Sequence, residues 1–314
     1  MTVFRDPGAL PDRLKRGAVT IGNFDGVHRG HARIVERLLA KAREVAGPAV
    51  VFTFDPHPVR LLRPEKAPPP LTWTKRKAEL LAELGVDALI ACPTTPALLQ
   101  LTAREFFDQI VLGKLQARAM VEGGNFFFGH NRSGNIDTLA EFCREAGLAM
   151  EAVEPVTLDG AVVSSSRIRT LVAAGQVQEA ARLLTRPYRI RGRVIHGAGR
   201  GRTLGFPTAN LAAIETLLPA EGIYAGRTWV DGQERAAAIS LGPNPTFGEG
   251  GLKVEVHLID YQGWLYDRDL EVDFLARLRG VERYATVEEL LAQMDRDIAA
   301  ARTLAAAPFP GAPE

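Results

Sequence analysis

The stretch Gly22-Asn23-Phe24-Asp25-Gly26-Val27-His28-Arg29-Gly30-His31 decides the reading of the first half of this chain. Ala18-Val19-Thr20-Ile21 before it is apolar and β-prone, and His31 to Ala46 after it carries Ile34, Leu38, Leu39 and Ala42 at helical spacing. A strand therefore hands over to a helix across a glycine-rich turn, with His28 and His31 at the helix start. Unpaired backbone N–H groups and the positive end of the helix dipole favour an anion there, and each imidazole adds a donor. Glycines let backbone and ligand approach closely. The competing reading is a glycine-rich turn with two solvated histidines. A zinc site does not fit, since the pair lacks the spacing and the glutamate of H-E-x-x-H.

Outward from this turn, apolar strands alternate with amphipathic helices up to about residue 184: Val50-Phe54, Lys75-Leu84, Val86-Ala91, Thr102-Leu112, Ala119-Glu122, Ile136-Ala146 and Leu148-Val153. That alternation predicts an α/β domain, residues 1–184, with a parallel sheet, helices on both faces and a ligand crevice at the carboxyl ends of the strands. Arg186-Pro187-Tyr188 breaks the pattern. Short β-prone runs follow at Tyr188-Ile195, Ile223-Val230, Ala236-Leu241, Lys253-Ile259 and Leu270-Phe274, punctuated by Gly, Pro and Asn. They predict a second domain, residues 185–308: a small antiparallel barrel closed by a helix from Val287 to Leu304, its apolar face made of Leu290, Leu291, Met294 and Ile298.

A chain of 314 residues exceeds one ordinary core, and its formal net charge of +1, without a basic stripe, makes no case for a nucleic-acid partner. Cys92 and Cys143 lie in separate apolar contexts without metal-ligand spacing, which reads as reduced thiols of a cytoplasmic protein. No signal peptide or membrane-length run is apparent, so no membrane partner is expected; the sequence names no protein partner.

Three further segments carry polar chemistry in the first half. Phe54-Asp55-Pro56-His57-Pro58 follows a strand at the ligand end, where a stiff loop and a binding loop are both admissible. Phe126, Phe127 and Phe128 lie between glycines and cannot all enter one core, so at least one ring should face or underlie a pocket, with the Asn125 amide beside it. Ser164-Ser165-Ser166-Arg167 opens a helix, where serines are ordinary caps, yet a first turn leaves N–H groups free for an anion. In the second half, Gly197-Ala198-Gly199-Arg200-Gly201-Arg202-Thr203-Leu204-Gly205-Phe206-Pro207-Thr208-Ala209-Asn210 fits neither a dinucleotide fingerprint nor a Walker loop. Thr208 and Asn210 stand two apart on an extended segment and so share a face. Glu255 and His257 likewise share a face opposite Val254, Val256 and Leu258.

The histidine turn resembles the H-x-G-H signature of the nucleotidyltransferase superfamily, in the form found in the adenylyltransferase half of bacterial bifunctional riboflavin kinase/FAD synthetases. The glycine run resembles the G-x-G-R-G-x-x-L-G-x-P-T-A-N segment of riboflavin kinases. Gly222-Ile223-Tyr224-Ala225, Leu241-Gly242-Pro243-Asn244-Pro245-Thr246-Phe247 and Glu255-Val256-His257 agree with it. Leu265-Tyr266-Asp267 departs from the family's L-Y-G and leaves that turn open. The resemblance, over about residues 15 to 305, implies two ATP-dependent steps: phosphorylation of riboflavin to FMN, and adenylylation of FMN to FAD with release of pyrophosphate. It implies nucleotide binding in the first half by Gly22, Asn23, Phe24, Asp25, His28, His31, Asn125, Ser164, Ser165 and Arg167. Flavin contacts there would come from Phe54, Pro56, His57, Pro58 and Phe128. In the second half it implies nucleotide binding by Gly199, Gly201, Arg202, Gly205, Thr208 and Asn210, with Thr208 and Asn210 also ligating Mg²⁺. His28 and His31 would stabilise the transferring phosphoryl group, and Glu255 would be the general base of the kinase. The rival readings are a protein retaining one activity, or a flavin-binding protein without turnover.

Overall fold

The computed structural model describes residues 1–197, 199, 201, 204–244 and 249–308. The chain divides into two compact units, Met1–Pro68 with Trp73–Ser164, and Pro69–Thr72 with the chain from Ser165 onward.

The first unit contains β1 (Thr2–Phe4), β2 (Ala18–Ile21), α1 (Arg29–Glu44), β3 (Ala49–Asp55), α2 (Val59–Leu62), α3 (Thr74–Glu83) and β4 (Ala88–Pro93). It continues with α4 (Pro96–Gln100), α5 (Ala103–Phe106), β5 (Ala119–Gly123), the short pair β6 (Phe127–Phe128) and β7 (Gly134–Asn135), α6 (Ile136–Ala146) and β8 (Ala149–Val153). A hairpin of β9 (Thr157–Leu158) and β10 (Ala161–Val162) ends it. The main sheet runs β1-β4-β3-β2-β5-β8, every pair parallel. Successive strand residues serve two cores. Val50 and Phe52 pack with Phe106, Phe107 and Leu139 on one face, while Ala49 and Val51 pack with Leu38, Leu80 and Leu81 on the other. Both faces are thus covered by helices, which is why all four residues of β2 are buried.

Strands β2, β3 and β4 build the sheet in one direction and β5 resumes it on the other side of β2. The order therefore reverses between β2 and β5, and the crevice beyond their carboxyl ends is where an open α/β sheet takes a ligand. The helix expected over Thr102-Leu112 is α5 followed by π-helical turns over Phe107–Lys114, and α1 begins at Arg29 rather than His31.

The second unit opens with α7 (Ser165–Ala173) and α8 (Val177–Leu184). Here α8 buries Val177, Ala180, Ala181, Leu183 and Leu184 and lies against strands of the barrel, whereas the sequence reading grouped these helices with the first half. The barrel comprises β11 (Tyr188–Ile195), β12 (Ala209–Ala212), β13 (Gly222–Val230), β14 (Gln233–Asn244), β15 (Glu249–Leu258) and β16 (Asp269–Arg279). It closes in the order β11-β12-β15-β14-β13-β16, all pairs antiparallel. Tyr188, Ile190, Tyr224, Ile239, Val256 and Phe274 fill the interior. A final helix, α9 (Val287–Ala306), sets Ile298 and Ala301 on Ala225, Ala236, Ala238 and Leu275. Its anchor is ionic as well, since Arg279 on β16 holds buried Asp297 at 2.7 Å.

Candidate active sites

Between β2 and α1 the backbone takes three left-handed residues, Phe24 (φ +45°), Gly26 (φ +86°) and Val27 (φ +39°). Phe24 and Val27 accept this unfavourable geometry because it buries both side chains, each 2% exposed, in the core under α1. His28 then becomes the cap of α1 and His31 its third residue. Each Nδ1 accepts the other residue's backbone N–H at 3.4 Å, a reciprocal capping box built from two imidazoles. The rings stack with centroids 3.7 Å apart and 16° between planes. With both Nδ1 atoms used as acceptors, the network assigns the proton of each neutral ring to Nε2. The helix start therefore offers two Nε2–H donors together with its own dipole.

A cavity of about 500 Å³ lies at this end of the sheet. Of the residues singled out from the sequence, Gly22, Asn23, Phe24, His31, Phe54, His57, Pro58, Asn125 and Phe128 line it. Asp25 and His28 do not, and are 7% and 5% exposed. Pro56 also stays off the wall; its carbonyl accepts the Thr94 hydroxyl at 2.5 Å. His57 has a local task too, accepting the Val59 N–H at 3.1 Å to start α2. The phenylalanine run behaves as its spacing demands. Phe126 and Phe128 stack at 5.3 Å, and Phe127 is exposed under the Arg132 guanidinium at 4.2 Å. A wall whose phenylalanines are interleaved with polar side chains suits a large planar heterocycle, and the buried Asn23 Oδ1, which has no hydrogen-bond partner, is an acceptor available to one.

Two charged residues of this site were not singled out from the sequence. Glu122, 2% exposed, lines the cavity and accepts the Ile21 N–H at 2.7 Å. Backbone pairing of β2 with β5 stops at Val19 and Met120, so the Glu122 carboxyl replaces β5 as partner of β2 where the strands part. Burial pushes this carboxyl well above the usual range, opposed by the hydrogen bonds from Ile21 and Thr20. Lys77, 9% exposed on the inner face of α3, donates to the Asn23 carbonyl at 2.6 Å. The available signal was a charge inside an apolar pattern: Glu122 in Ala-Met-Val-Glu-Gly, and Lys77 beside Ala78, Leu80 and Leu81. Ser164 is the last residue of the first unit, and Ser165 and Arg167 lie in the first turn of α7 in the second.

On the barrel, Asn210 of β12 stands directly opposite Glu255 of β15, and Ser240 of β14 stands on the other side of Glu255. Their neighbours Ala209, Val254, Val256 and Ile239 point inward and are buried, so the Asn210, Glu255 and Ser240 side chains form a polar row on the outer face. Glu255 sits on an interior strand of a closed sheet, not on an edge. His257 Nδ1 lies 2.9 Å from the Pro207 carbonyl and fixes the strand entrance carrying Thr208. Gly197 and Gly201 lie close against that segment. A β-carbon at Gly197 would lie 2.3 Å from Asn210 Nδ2, and one at Gly201 would meet the Phe206 carbonyl at 2.3 Å and Thr208 Oγ1 at 3.4 Å. Only glycine permits this approach.

The hydroxyl of Thr208 and amide of Asn210 are hard oxygen donors suited to a divalent cation. Among the described residues no group of three or more His, Cys, Asp or Glu could hold a metal. A second cavity, about 330 Å³, opens beside Gly205 and Thr208 toward Tyr261 and Tyr266; Asn210 and Glu255 are not in its wall. Tyr266 stacks on His196 at 3.9 Å. Asp267, where the family pattern has glycine, adopts φ +59°, so the turn keeps the left-handed geometry. Gly199 lies at φ +72° and Gly205 at φ +88°, both in open space. Arg202 and Pro245-Thr246-Phe247 lie outside the described residues.

Residues 10–167 match the family model of FAD synthetase and residues 184–305 that of riboflavin kinase. The chain belongs to the bifunctional riboflavin kinase/FMN adenylyltransferases. It is 42% identical to the bifunctional riboflavin kinase/FMN adenylyltransferase of Pseudomonas fluorescens, over 93% of this chain and 94% of that one. With the enzyme of the same name from Escherichia coli K12, identity is 34%, over 96% and 97%. A crystal structure named as a macrolide-efflux protein from Streptococcus pneumoniae shares the fold with a TM-score of 0.85 at 29% identity, covering 96% of this chain and 98% of that one. Among the described residues here, no helix is long and apolar enough to cross a membrane. For a bifunctional riboflavin kinase/FMN adenylyltransferase, the histidine turn falls within the FAD synthetase match, and the Asn210–Glu255 row within the riboflavin kinase match.

Proposed function

We propose that residues 1–184 carry the FMN adenylyltransferase and residues 185–308 the riboflavin kinase of this bifunctional enzyme, with the residue roles that follow. In the adenylyl site, an FMN phosphate oxygen attacks the α-phosphorus of ATP in line and pyrophosphate leaves. Nothing covalent is asked of the protein, so positioning and charge stabilisation supply the acceleration. His28 and His31 donate through Nε2–H toward the phosphoryl oxygens as negative charge develops there. Gly22, Asn23, Phe24, Asp25, Asn125, Ser164, Ser165 and Arg167 hold the nucleotide, and Phe54, Pro56, His57, Pro58 and Phe128 hold the flavin. The reciprocal histidine cap carries this reading, because it spends both Nδ1 atoms on the backbone and so assigns the proton of each neutral ring to Nε2 at the start of α1.

In the kinase site, Glu255 takes the proton of the ribityl 5′-hydroxyl as that oxygen attacks the γ-phosphorus, and ADP leaves. Gly199, Gly201, Arg202 and Gly205 bind the nucleotide with Thr208 and Asn210. Thr208 and Asn210 hold Mg²⁺, which when bound neutralises phosphate charge and orients the triphosphate. Phosphate stripped of counter-charge binds poorly beside a carboxylate, which is why a cation-holding amide belongs opposite Glu255. The enzyme acts in the cytoplasm on this reading.

The test is incubation of the purified chain with riboflavin, ATP and Mg²⁺, followed by assay of FMN, FAD and pyrophosphate. All three products are expected. FMN without FAD, or FAD only from supplied FMN, leaves a single-activity enzyme, and flavin retention without turnover leaves a binding protein.

A further inference from the structure

Lys77 is a buried cation at the back of the histidine turn, and nothing in the chemistry above uses it. Its Nζ lies 2.6 Å from the Asn23 carbonyl and 3.5 Å from Thr53 Oγ1, and that hydroxyl also donates to the Asn23 carbonyl at 3.2 Å. Taking an ammonium out of water is expensive, so a chain keeps one inside only where its partners compensate. Asp25 of the turn and Asp55 at the end of β3 are the acidic groups that act on it, and Asp55 is itself held by Arg5 and by Thr74 at 2.9 Å. The grip falls on a particular peptide. A planar trans peptide sets N–H opposite C=O, so drawing the Asn23 carbonyl toward α3 turns the Phe24 N–H the other way. Phe24 is the first of the turn's two non-glycine residues at positive φ, and Gly22, Asn23 and Phe24 all line the cavity. Such geometry persists only where the surroundings over-determine it.

We propose that Lys77 is a positioning residue for adenylyl transfer: by fixing the Asn23 carbonyl, its ammonium holds the strained turn in the form that presents His31 and the Phe24 N–H to the nucleotide. It does not touch substrate. The inference rests on the adenylyltransferase assignment of this unit, and the experiment separates the two. If the unaltered enzyme makes no FAD from supplied FMN and ATP, the assignment fails, and the proposal with it. If it does, Lys77→Met, which keeps the stem and deletes the charge, tests the lysine alone.

Saturating kcat for FAD formation should fall by about 10- to 100-fold in Lys77→Met, in line with small misplacement of reacting groups. KM for FMN should change less than threefold, and riboflavin phosphorylation should be unaltered as an internal control. Lys77→Arg, which keeps the charge, should restore part of kcat. Burial lowers the Lys77 pKa below the ordinary 10.5, against the pull of Asp25 and Asp55. The unaltered enzyme should therefore lose FAD synthesis on the alkaline side before an exposed lysine would titrate, and Lys77→Arg should lack that limb. Unchanged kcat in folded Lys77→Met overturns the proposal. So does a KM effect without a kcat effect, or equal loss of both activities. Should Lys77→Met not fold, the alkaline limb decides: its absence in the unaltered enzyme, or its persistence in Lys77→Arg, overturns the proposal as well.

Discussion

Alanine at Gly134 is expected to damage flavin binding in the adenylyl site while leaving the kinase intact. Gly134 lies in β7 opposite Phe128 of β6, and a β-carbon there would stand 2.6 Å from Phe128 Cε1, 2.9 Å from its Cζ and 2.8 Å from Ala103 Cβ. Carbon atoms rest at about 3.5–4.0 Å, so something must retreat by about 1 Å. Ala103 belongs to the start of α5 and is 7% exposed, which leaves the Phe128 ring as the mobile partner. Phe106 and Phe142 flank that ring at 6.2 and 6.4 Å, so its retreat presses on Phe126 and the cavity. Overpacking of this kind costs about 1–3 kcal/mol. If 1–2 kcal/mol of it appears as lost flavin contact, KM for FMN rises about five- to thirty-fold. The remainder lowers the melting temperature of the first unit by about 2–4 °C per kcal/mol. The assay is FAD synthesis from supplied FMN across an FMN titration, beside riboflavin phosphorylation and a thermal melt. An unchanged KM for FMN in a folded Gly134→Ala protein would refute the placement of flavin against Phe128.

His31→Ala should lower FAD formation by about a hundredfold or more while FMN formation persists, since it removes a donor to developing charge; parallel loss of both activities in a folded protein contradicts the assignment. Glu255→Gln should cut riboflavin phosphorylation by about two to four orders of magnitude with riboflavin and nucleotide still bound, as measured by turnover and by equilibrium titration. Near-normal turnover would leave Glu255 a structural residue. Thr208→Ala and Asn210→Ala should instead raise the Mg²⁺ concentration needed for half-maximal FMN formation, with FAD synthesis from supplied FMN preserved. Glu122→Gln tests the buried carboxyl through pH: because burial raises its pKa above the ordinary 4.5, the folded state retains a proton that the unfolded chain releases. Unaltered protein should therefore lose stability relative to Glu122→Gln as pH rises from about 4.5 through the raised value, so in urea unfolding from about pH 4 to about pH 8 the unfolding free energy of unaltered protein minus that of Glu122→Gln should fall. A constant difference would mean that the carboxyl is not held protonated.

Much of both sites was legible because the relevant physics is local. The passage from β2 to α1, the extended Pro207–Asn210 segment and the alternation around Glu255 are periodicities of three to ten residues, and backbone geometry turns them directly into faces and caps. The histidine pair at a helix start needed no more than the strand before it and the helical pattern after it. Other features had no local signature. Strands β1 and β12, of three and four residues, exist because β4 and β15 accept them as neighbours. Closure of the barrel through β11 and β16 joins residues some eighty apart, and the packing of α7 and α8 within the second unit depends on which apolar face offers the better complement. The charges behind the first site showed locally only as single charges within apolar patterns, with nothing to say what they hold. Lys77 and Glu122 read as ordinary members of a helix and a strand, and only the pairing of β2 with β3 and β5 brings them to the Asn23 carbonyl and the Ile21 amide. Hydrogen bonds and desolvation act between groups close in space whatever their separation along the chain, so local sequence determined the elements and their polar faces, and tertiary contact alone decided which buried charges hold them.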